Sequence, residues 1–353
     1  MQRKEVVVVG AGVMGLSAAV RLQDAGFTVT IIAEKRSPHT ASDYSGAIIR
    51  PDYLGNTAHE SVLRWSRETA EHMLELSGHS QHNGVTMVPA YEFFPTPTPP
   101  QFWRDTVLGY RECTKQELIA FAPRLACGFF YITFVVECRN KYMEFLERQF
   151  MSRGGQFIAA RLNELSEVDK FVPLTELIVN CSGLSGLSLV GAPDDAMKPV
   201  RGQTVVVRCP SCKFAYGDYY SDPTRPTYVY PRGDEILLGG CYLEGDEDCS
   251  IDDSLTRDII ERCAAFHPDL AESPILAVRV GHRPSRPTVR CERELVQLGG
   301  RTVGVVHNYG HGGAGVTVHW GCAGDCVALV EECAATLQLR HTAQLPTSMS
   351  SKL

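Results

Sequence analysis

Three stretches of this 353-residue chain combine residue types and spacings that can do chemistry. The first is Gly10-Ala11-Gly12-Val13-Met14-Gly15, which follows directly on the apolar run Glu5-Val6-Val7-Val8-Val9. Gly10 permits a tight turn, Gly12 lets the backbone approach a pyrophosphate, and Gly15 lets a following helix pack close to the strand. Unpaired amides at the helix start, at Val13, face the phosphates. Glu34 stands nineteen residues after Gly15, at the end of the next β-branched run. There its carboxylate can accept both hydroxyls of an adenosine ribose. Lys35-Arg36 beside it could instead hold a 2′-phosphate, or form a solvated turn, which is the simpler reading.

The second stretch is His307-Asn308-Tyr309-Gly310-His311-Gly312-Gly313-Ala314-Gly315-Val316-Thr317. Its glycines remove side chains, so backbone amides can approach the edge of a flat group. A nucleotide turn at one end of the chain and a second glycine cluster near the other suit one long cofactor gripped from both ends. FAD fits that description better than a nicotinamide does. The third stretch is Gly281-His282-Arg283-Pro284-Ser285-Arg286-Pro287. Arg283 held between two stiff proline turns suits bidentate recognition of a carboxylate; a surface arginine in a proline-rich loop is the alternative.

These residues need a frame. Lys4 to Val9 reads as a buried parallel strand, Val13 to Ala25 as a helix stopped by Gly26, and Thr28 to Ala33 as a second strand. Together they make a βαβ start with a right-handed crossover. Ser37 to Pro51 reads as loop, and His59 to Leu76 as a helix burying Val62, Trp65, Met73 and Leu76. Pro95 to Pro100 is a rigid connector, Tyr142 to Met151 an amphipathic helix, and Leu177 to Cys181 an apolar strand. Gln203 to Arg208, Thr227 to Tyr230 and Glu235 to Gly239 read as antiparallel strands over a ligand. Thr302 to Val306 is a strand entering the second glycine cluster, and Trp320 to Leu339 a closing helix with Val327, Val330, Cys333, Ala334 and Leu337 on one face.

The expected fold is α/β: a discontinuous Rossmann-like FAD-binding domain (1–50, 143–195, 280–345) interleaved with an α+β substrate-binding domain. The second domain (51–142, 196–279) is built on an antiparallel sheet, and 346–353 form a flexible tail. Two domains suit this length, because a single core stops growing below it.

A formal charge of -7 argues against nucleic acid or an anionic membrane as partner. No apolar run approaches the ~18–20 residues that cross a bilayer. Met1-Gln2-Arg3-Lys4 shows no secretory signal, so thirteen cysteines point to a reducing compartment and buried free thiols. Cys209-Pro210-Ser211-Cys212 has metal-ligand spacing but no matching pair at finger-like distance, so no metal is expected. Cys322 and Cys326 fall four apart and should pack. Ser351-Lys352-Leu353, behind the polar stretch Gln344 to Ser350, reads as a peroxisomal address, with an import receptor as partner and the peroxisomal matrix as location.

Trp103 to Arg111, Val179-Asn180-Cys181-Ser182-Gly183, Arg201-Gly202-Gln203, Arg283 to Pro287 and His307 to Gly313 together resemble the D-amino-acid oxidase family, which includes D-aspartate oxidase. The resemblance runs over essentially the whole chain. It implies non-covalent FAD and oxidative deamination of a D-amino acid by hydride transfer from Cα to flavin N5. O2 would be the acceptor, and 2-oxo acid, ammonia and H2O2 the products, with no side chain acting as acid or base. Arg283 would pair with the substrate α-carboxylate, Tyr228 would add a hydroxyl to it, Tyr242 would line the pocket, and the Gly313 carbonyl would accept from the amine. Thr40, Ala41 and Ser42 would line the pyrophosphate and Ser182 the adenosine side. Ser45-Gly46-Ala47-Ile48 would run along the isoalloxazine, with Thr317 at its pyrimidine side. Leu162, Gly312, Ala314, Gly315 and Val316 complete the implied cofactor set. Two residues depart from the pattern: Ala314 replaces an aromatic, and Arg50 stands at the pocket entrance, where it could bring in acidic side chains. Tyr242 stands where animal-type D-aspartate oxidases carry an arginine, and no arginine matches their second clamp. Neutral D-amino acids are therefore expected, with a D-aspartate oxidase or a non-catalytic flavin-binding protein as alternatives. The resemblance is compatible with a homodimer.

Overall fold

The computed structural model describes residues 4–52, 54–78, 83–184 and 194–344; the tail carrying Ser351-Lys352-Leu353 lies outside the described residues. β1 (Glu5–Val9) is buried on both faces along its valine run, as a central parallel strand must be. It lies between β2 (Thr28–Ala33) and β7 (Leu177–Asn180), parallel to both. β6 (Gln156–Ala159) and β14 (Arg301–His311) extend this half in the parallel order β6-β2-β1-β7-β14.

The same sheet continues without a break. β13 (Ile275–Leu298) runs antiparallel to β14 and then to β8 (Lys198–Arg208). Beyond them follow β11 (Glu235–Gly239), β10 (Thr227–Arg232), β9 (Ala215–Asp218), β3 (Val85–Phe94), β5 (Cys127–Val136) and β4 (Leu108–Glu112). β12 (Leu243–Glu244) pairs with the start of β8. This half is antiparallel except where β3 meets β9 in parallel. The 24-residue β13 belongs to both halves, so the expected boundary at 280 falls inside one strand.

Helices cover each half. α1 (Val13–Asp24), α2 (His59–Ser77), α4 (Met143–Ser152) and α6 (Gly315–Gln344) pack with the parallel strands into one core that includes Leu16, Leu22, Trp65, Met73, Phe150, Cys322 and Cys326. Each fully buried large side chain there stabilises by about 1.5–3 kcal/mol. α2 is further tied to α6 by the Trp65 indole, which donates to Asp325 at 2.7 Å, and by the Arg64–Asp325 pair at 2.5 Å. α3 (Lys115–Phe121) and α5 (Asp253–Ala264) cover the antiparallel half. Among the described residues no helix is long and apolar enough to cross a membrane.

Three expectations are corrected. Arg283 does not sit between proline turns; it lies inside β13. Pro284 faces Pro199 of β8, and the ladder slips between Ser285 and Arg290, so the prolines cost few bonds. The closing helix begins at Gly315, five residues before Trp320, so the glycine cluster flows straight into a helical first turn. β14 likewise runs on to His311 rather than ending at Val306.

Candidate functional site

Where the halves meet, a cavity of about 1210 Å³, measured to its open mouth, is lined from both sides. Val13 and Met14 of α1, Ala41, Ser42, Tyr44 to Ile48, and His311 to Thr317 form one wall. Gly202, Thr204, Tyr219, Tyr228, Tyr230, Tyr242 and Gly281 to Pro284 form the other, with Arg50 and Asp52 at its edge.

The first wall suits a dinucleotide. Gly10 has φ of +105°, and a Cβ there would lie 2.5 Å from the Cys181 carbonyl oxygen; at Gly15 it would meet the Gly10 oxygen at 2.0 Å. Gly12, the N-cap of α1, would meet only the Ser42 hydroxyl, at 3.4 Å, so its cleft side is open. No acid stands in the first turn of α1, but the Val13 amide, expected to be unpaired, is taken by the Ser42 hydroxyl at 3.0 Å. The first turn of α6 (Gly315, Val316, Thr317) faces the same cavity. Two helix N-termini thus direct amides and positive dipole ends into one space, which favours phosphate and an electron-rich ring edge. His311 adds an Nε2 that is buried and has no hydrogen-bond partner, and burial lowers its pKa to about 3, leaving a neutral ring. These features fit FAD.

The segment from Gly46 to Ile48 is held against the cavity from behind. Arg232, half-buried at the end of β10, donates to the carbonyls of Ser45 at 3.2 Å and Gly46 at 2.8 Å. Ala47 adopts φ of +50°, a left-handed conformation costing about 1–3 kcal/mol in a non-glycine residue. It persists because Val136 donates to the Ala47 carbonyl at 2.7 Å and Ile49 to Phe134 at 2.8 Å. The Thr317 hydroxyl bonds to the Ile48 carbonyl at 3.1 Å and accepts the Arg50 amide at 3.3 Å, so it fastens α6 to that segment.

Other expected cofactor residues lie off this cavity. Thr40 is turned into its loop, donating to Asp43 from both amide and hydroxyl. Glu34 and Lys35 are exposed beside a second depression that Tyr44 also borders; Glu34 lies 3.7 Å from Arg161, and Leu162 packs into the core cluster that includes Val9 and Ile32. Arg36 pairs with Glu147 and covers Phe157. Ser182 donates to Asn180, whose amide meets His307, whose Nε2 in turn meets Glu294 at 2.7 Å. Two sequence motifs therefore lock together across the β7–β14 pair. At the loop from Cys209 to Cys212, Ser211 ties His267 (3.1 Å) to Asp269 (2.6 Å).

On the second wall, Arg283 donates to the backbone carbonyls of Arg201 at 3.2 Å and Cys241 at 3.1 Å, lies 5.3 Å over the Tyr242 ring, and is close enough to the Tyr228 phenol for its charge to act on it. Burial raises the Tyr228 pKa, partly opposed by Arg283, so its phenol stays protonated. Gly202, Gly239 and Gly240 leave room for this pair: a Cβ at any of them would come within 2.1–2.7 Å of the Arg283 guanidinium or the Tyr228 phenol. Tyr219 and Tyr230, which sequence reasoning missed, join hydroxyls at 2.7 Å. A guanidinium with a neutral phenol beside it binds a carboxylate, and the tyrosine rings exclude water around it.

Arg50 is not an open cation at the entrance. It is buried, and Glu92, 1% exposed, takes its Nε at 3.0 Å and its Nη2 at 2.5 Å. Nη2 also donates to Asp52 at 2.9 Å and to the Tyr220 hydroxyl at 2.8 Å. A guanidinium so far from water needs a counter-ion, and β3 supplies one.

A family model described as FAD dependent oxidoreductase matches residues 5–329. The chain is 36% identical to human D-aspartate oxidase, covering 96% of this chain and 98% of that one. It is 35% identical to the D-amino-acid oxidase of Rubrobacter xylanophilus, covering 92% and 94%. Among solved structures, glycine oxidase from Geobacillus kaustophilus shares the fold with a TM-score of 0.74 at 19% identity, covering 94% of this chain and 95% of that one. The L-alpha-glycerophosphate oxidase from Mycoplasma pneumoniae, solved with FAD bound, does so at 0.72 and 14%, with the same coverage. A cavity built for a flavin dinucleotide and relatives matched over nearly their whole length lead to one conclusion: the chain belongs to the FAD-dependent oxidoreductase family, in the group of D-amino-acid and D-aspartate oxidases.

Proposed function

We propose that this protein oxidatively deaminates D-amino acids with neutral side chains. The observation that carries the reading is the Arg283–Tyr228 pair, a carboxylate-binding couple set across the cavity from Gly46 to Ile48 and Gly312 to Thr317. Arg283 and Tyr228 fix the substrate carboxylate, and the Gly313 carbonyl takes the amine, which aims Cα–H at the flavin wall. FAD held along Gly46 to Ile48 and Gly312 to Thr317 would supply the redox chemistry, taking the hydride and passing its electrons to O2 as hydrogen peroxide. Positioning of this kind lowers a barrier by about 7–11 kcal/mol and needs no side-chain base. Neutral side chains are favoured because the cation nearest the opposite edge, Arg50, already faces two carboxylates.

A panel of D- and L-amino acids with peroxide detection tests this on FAD-loaded protein. D-Alanine and D-methionine should turn over and their L-forms should not; absence of peroxide from every D-amino acid refutes the activity. The likeness to human D-aspartate oxidase favours a second reading, acidic substrates, which wins if D-aspartate is the faster substrate. The same proposal includes the peroxisomal matrix and its import receptor, through Ser351-Lys352-Leu353, since peroxide is contained there. A fluorescent fusion that stays diffuse with the tripeptide intact rejects that part. A homodimer is checked by sedimentation.

A further inference from the structure

Arg50 is a buried cation in the cavity wall for which the proposed reaction has no use. Its side chain is 3% exposed and its guanidinium lies 4.0 Å over the Tyr219 ring, which lines the same cavity. The groups packed on it come from three places. Glu92 of β3 grips it by two nitrogens, Asp52 lies two residues along its own segment, and Tyr220, just beyond β9, donates its hydroxyl to Asp52 at 2.8 Å while accepting from Arg50. Tyr131 of β5 donates to Glu92 at 3.2 Å and holds that carboxylate in place. One positive charge therefore meets two negative ones, and Asp52 reaches the cavity surface.

A substrate side-chain carboxylate entering here would be a third anion around one guanidinium. Repulsion from groups already seated discriminates as well as any missing attraction. Resting on the proposed D-amino-acid oxidation, we propose that Glu92 and Asp52 determine specificity by masking Arg50, which otherwise is a ready clamp for the side chains of D-aspartate and D-glutamate. The acidic preference is thus latent in the wall, and two carboxylates withhold it. Neither residue touches the α-carboxylate pair, Arg283 and Tyr228, so the reacting end of the substrate is unaffected.

The test compares kcat/KM for D-aspartate and D-alanine in wild type, Glu92→Gln, Asp52→Asn and Arg50→Gln/Glu92→Gln, each loaded with FAD. Glutamine keeps the shape and an acceptor for Tyr131 while removing the charge. The aspartate-to-alanine ratio should rise about tenfold or more in Glu92→Gln, mostly through KM, because a guanidinium left with Asp52 as its one carboxylate partner gains a second charge-assisted partner from the substrate. It should rise about threefold in Asp52→Asn, where the lost carboxylate is partly solvated. The double variant should lose the gain, since it runs through Arg50. A ratio unchanged in both single variants, an equal rise for both substrates, or a gain that survives in the double variant overturns the masking. Should Glu92→Gln fail to fold or to bind FAD, Asp52→Asn decides alone. The wild-type substrate profile tests the proposed activity, while the change between wild type and variant tests the masking, so the two can fail separately.

Discussion

Gly202→Ala isolates the carboxylate-binding geometry from the rest of the enzyme. Gly202 faces Gly281 across the β8–β13 ladder, under the Arg283 guanidinium. A methyl there would lie 2.5 Å from Nη1, 2.7 Å from Nη2 and 2.8 Å from the carbon between them. Carbon contacts are comfortable near 3.5 Å, so the guanidinium must retreat by about 1 Å. What yields is the tip of a side chain rather than a strand, so the fold survives. Arg283 loses two bonds to carbonyls, those of Arg201 and Cys241, and stability falls by no more than about 2 kcal/mol. Catalysis suffers more: a reacting group displaced by about 1 Å loses about 100-fold in rate. That equals about 2.7 kcal/mol of transition-state stabilisation. Steady-state kinetics on D-alanine should show this loss in kcat/KM, while absorbance titration shows FAD binding as in wild type. A variant that keeps kcat/KM within about threefold of wild type would refute the claim that Arg283 at this position fixes the substrate.

Gly15→Ala is the counterpart on the cofactor side: its methyl would meet backbone, the Gly10 oxygen at 2.0 Å, so FAD retention and melting temperature should both collapse, and a yellow, stable variant would contradict the close helix–strand contact. Thr317→Val leaves the buried Arg50 amide without its hydroxyl acceptor; the melting temperature should fall by the equivalent of about 1–3 kcal/mol, and no change would mean the pin does not hold the flavin segment. Acid should weaken the fold through buried imidazoles. Burial lowers His72 to about 3 and His319 to about 4. Their folded pKa values lie below the unfolded 6.5, so the unfolded chain takes up protons that the folded chain refuses. Stability is intact above pH 6.5 and drops by about 2 kcal/mol for each ring by pH 5. A melting temperature flat from pH 7.5 to 5 would count against two neutral, buried rings.

How far the sequence could be read depended on how far apart the interacting residues stand. The turn from Gly10 to Gly15 was legible because strand, glycines and helix start are contiguous and Gly15 packs on Gly10 itself, whereas the Cys181 carbonyl that makes glycine necessary at position 10 could not be read locally. The run from His307 to Thr317 was legible as a backbone feature, although its helical first turn was hidden: Gly315 is a poor helix former, and apolar periodicity starts only further on. β13 was misread because Pro284 and Pro287 argue locally for turns. Only the facing strand, with Pro199 opposite Pro284 and a slipped register beyond, makes a strand tolerable there.

Arg50 is the instructive case, because its residue type and position suggested an open cation, whereas the structure pairs it with Glu92 and Asp52. What a charged side chain can bind depends on which charges already neutralise it, and those are set by tertiary contact. Glu92 stands 42 residues away on a strand that showed no motif, and Tyr220 stands 170 away. Arg283 has the opposite history. Its sequence context was misread, yet its partners are backbone carbonyls and a neutral phenol, which orient a guanidinium without cancelling its charge. Two arginines line one cavity, and they differ in the charge of their neighbours: two carboxylates at Arg50, backbone carbonyls and a phenol at Arg283.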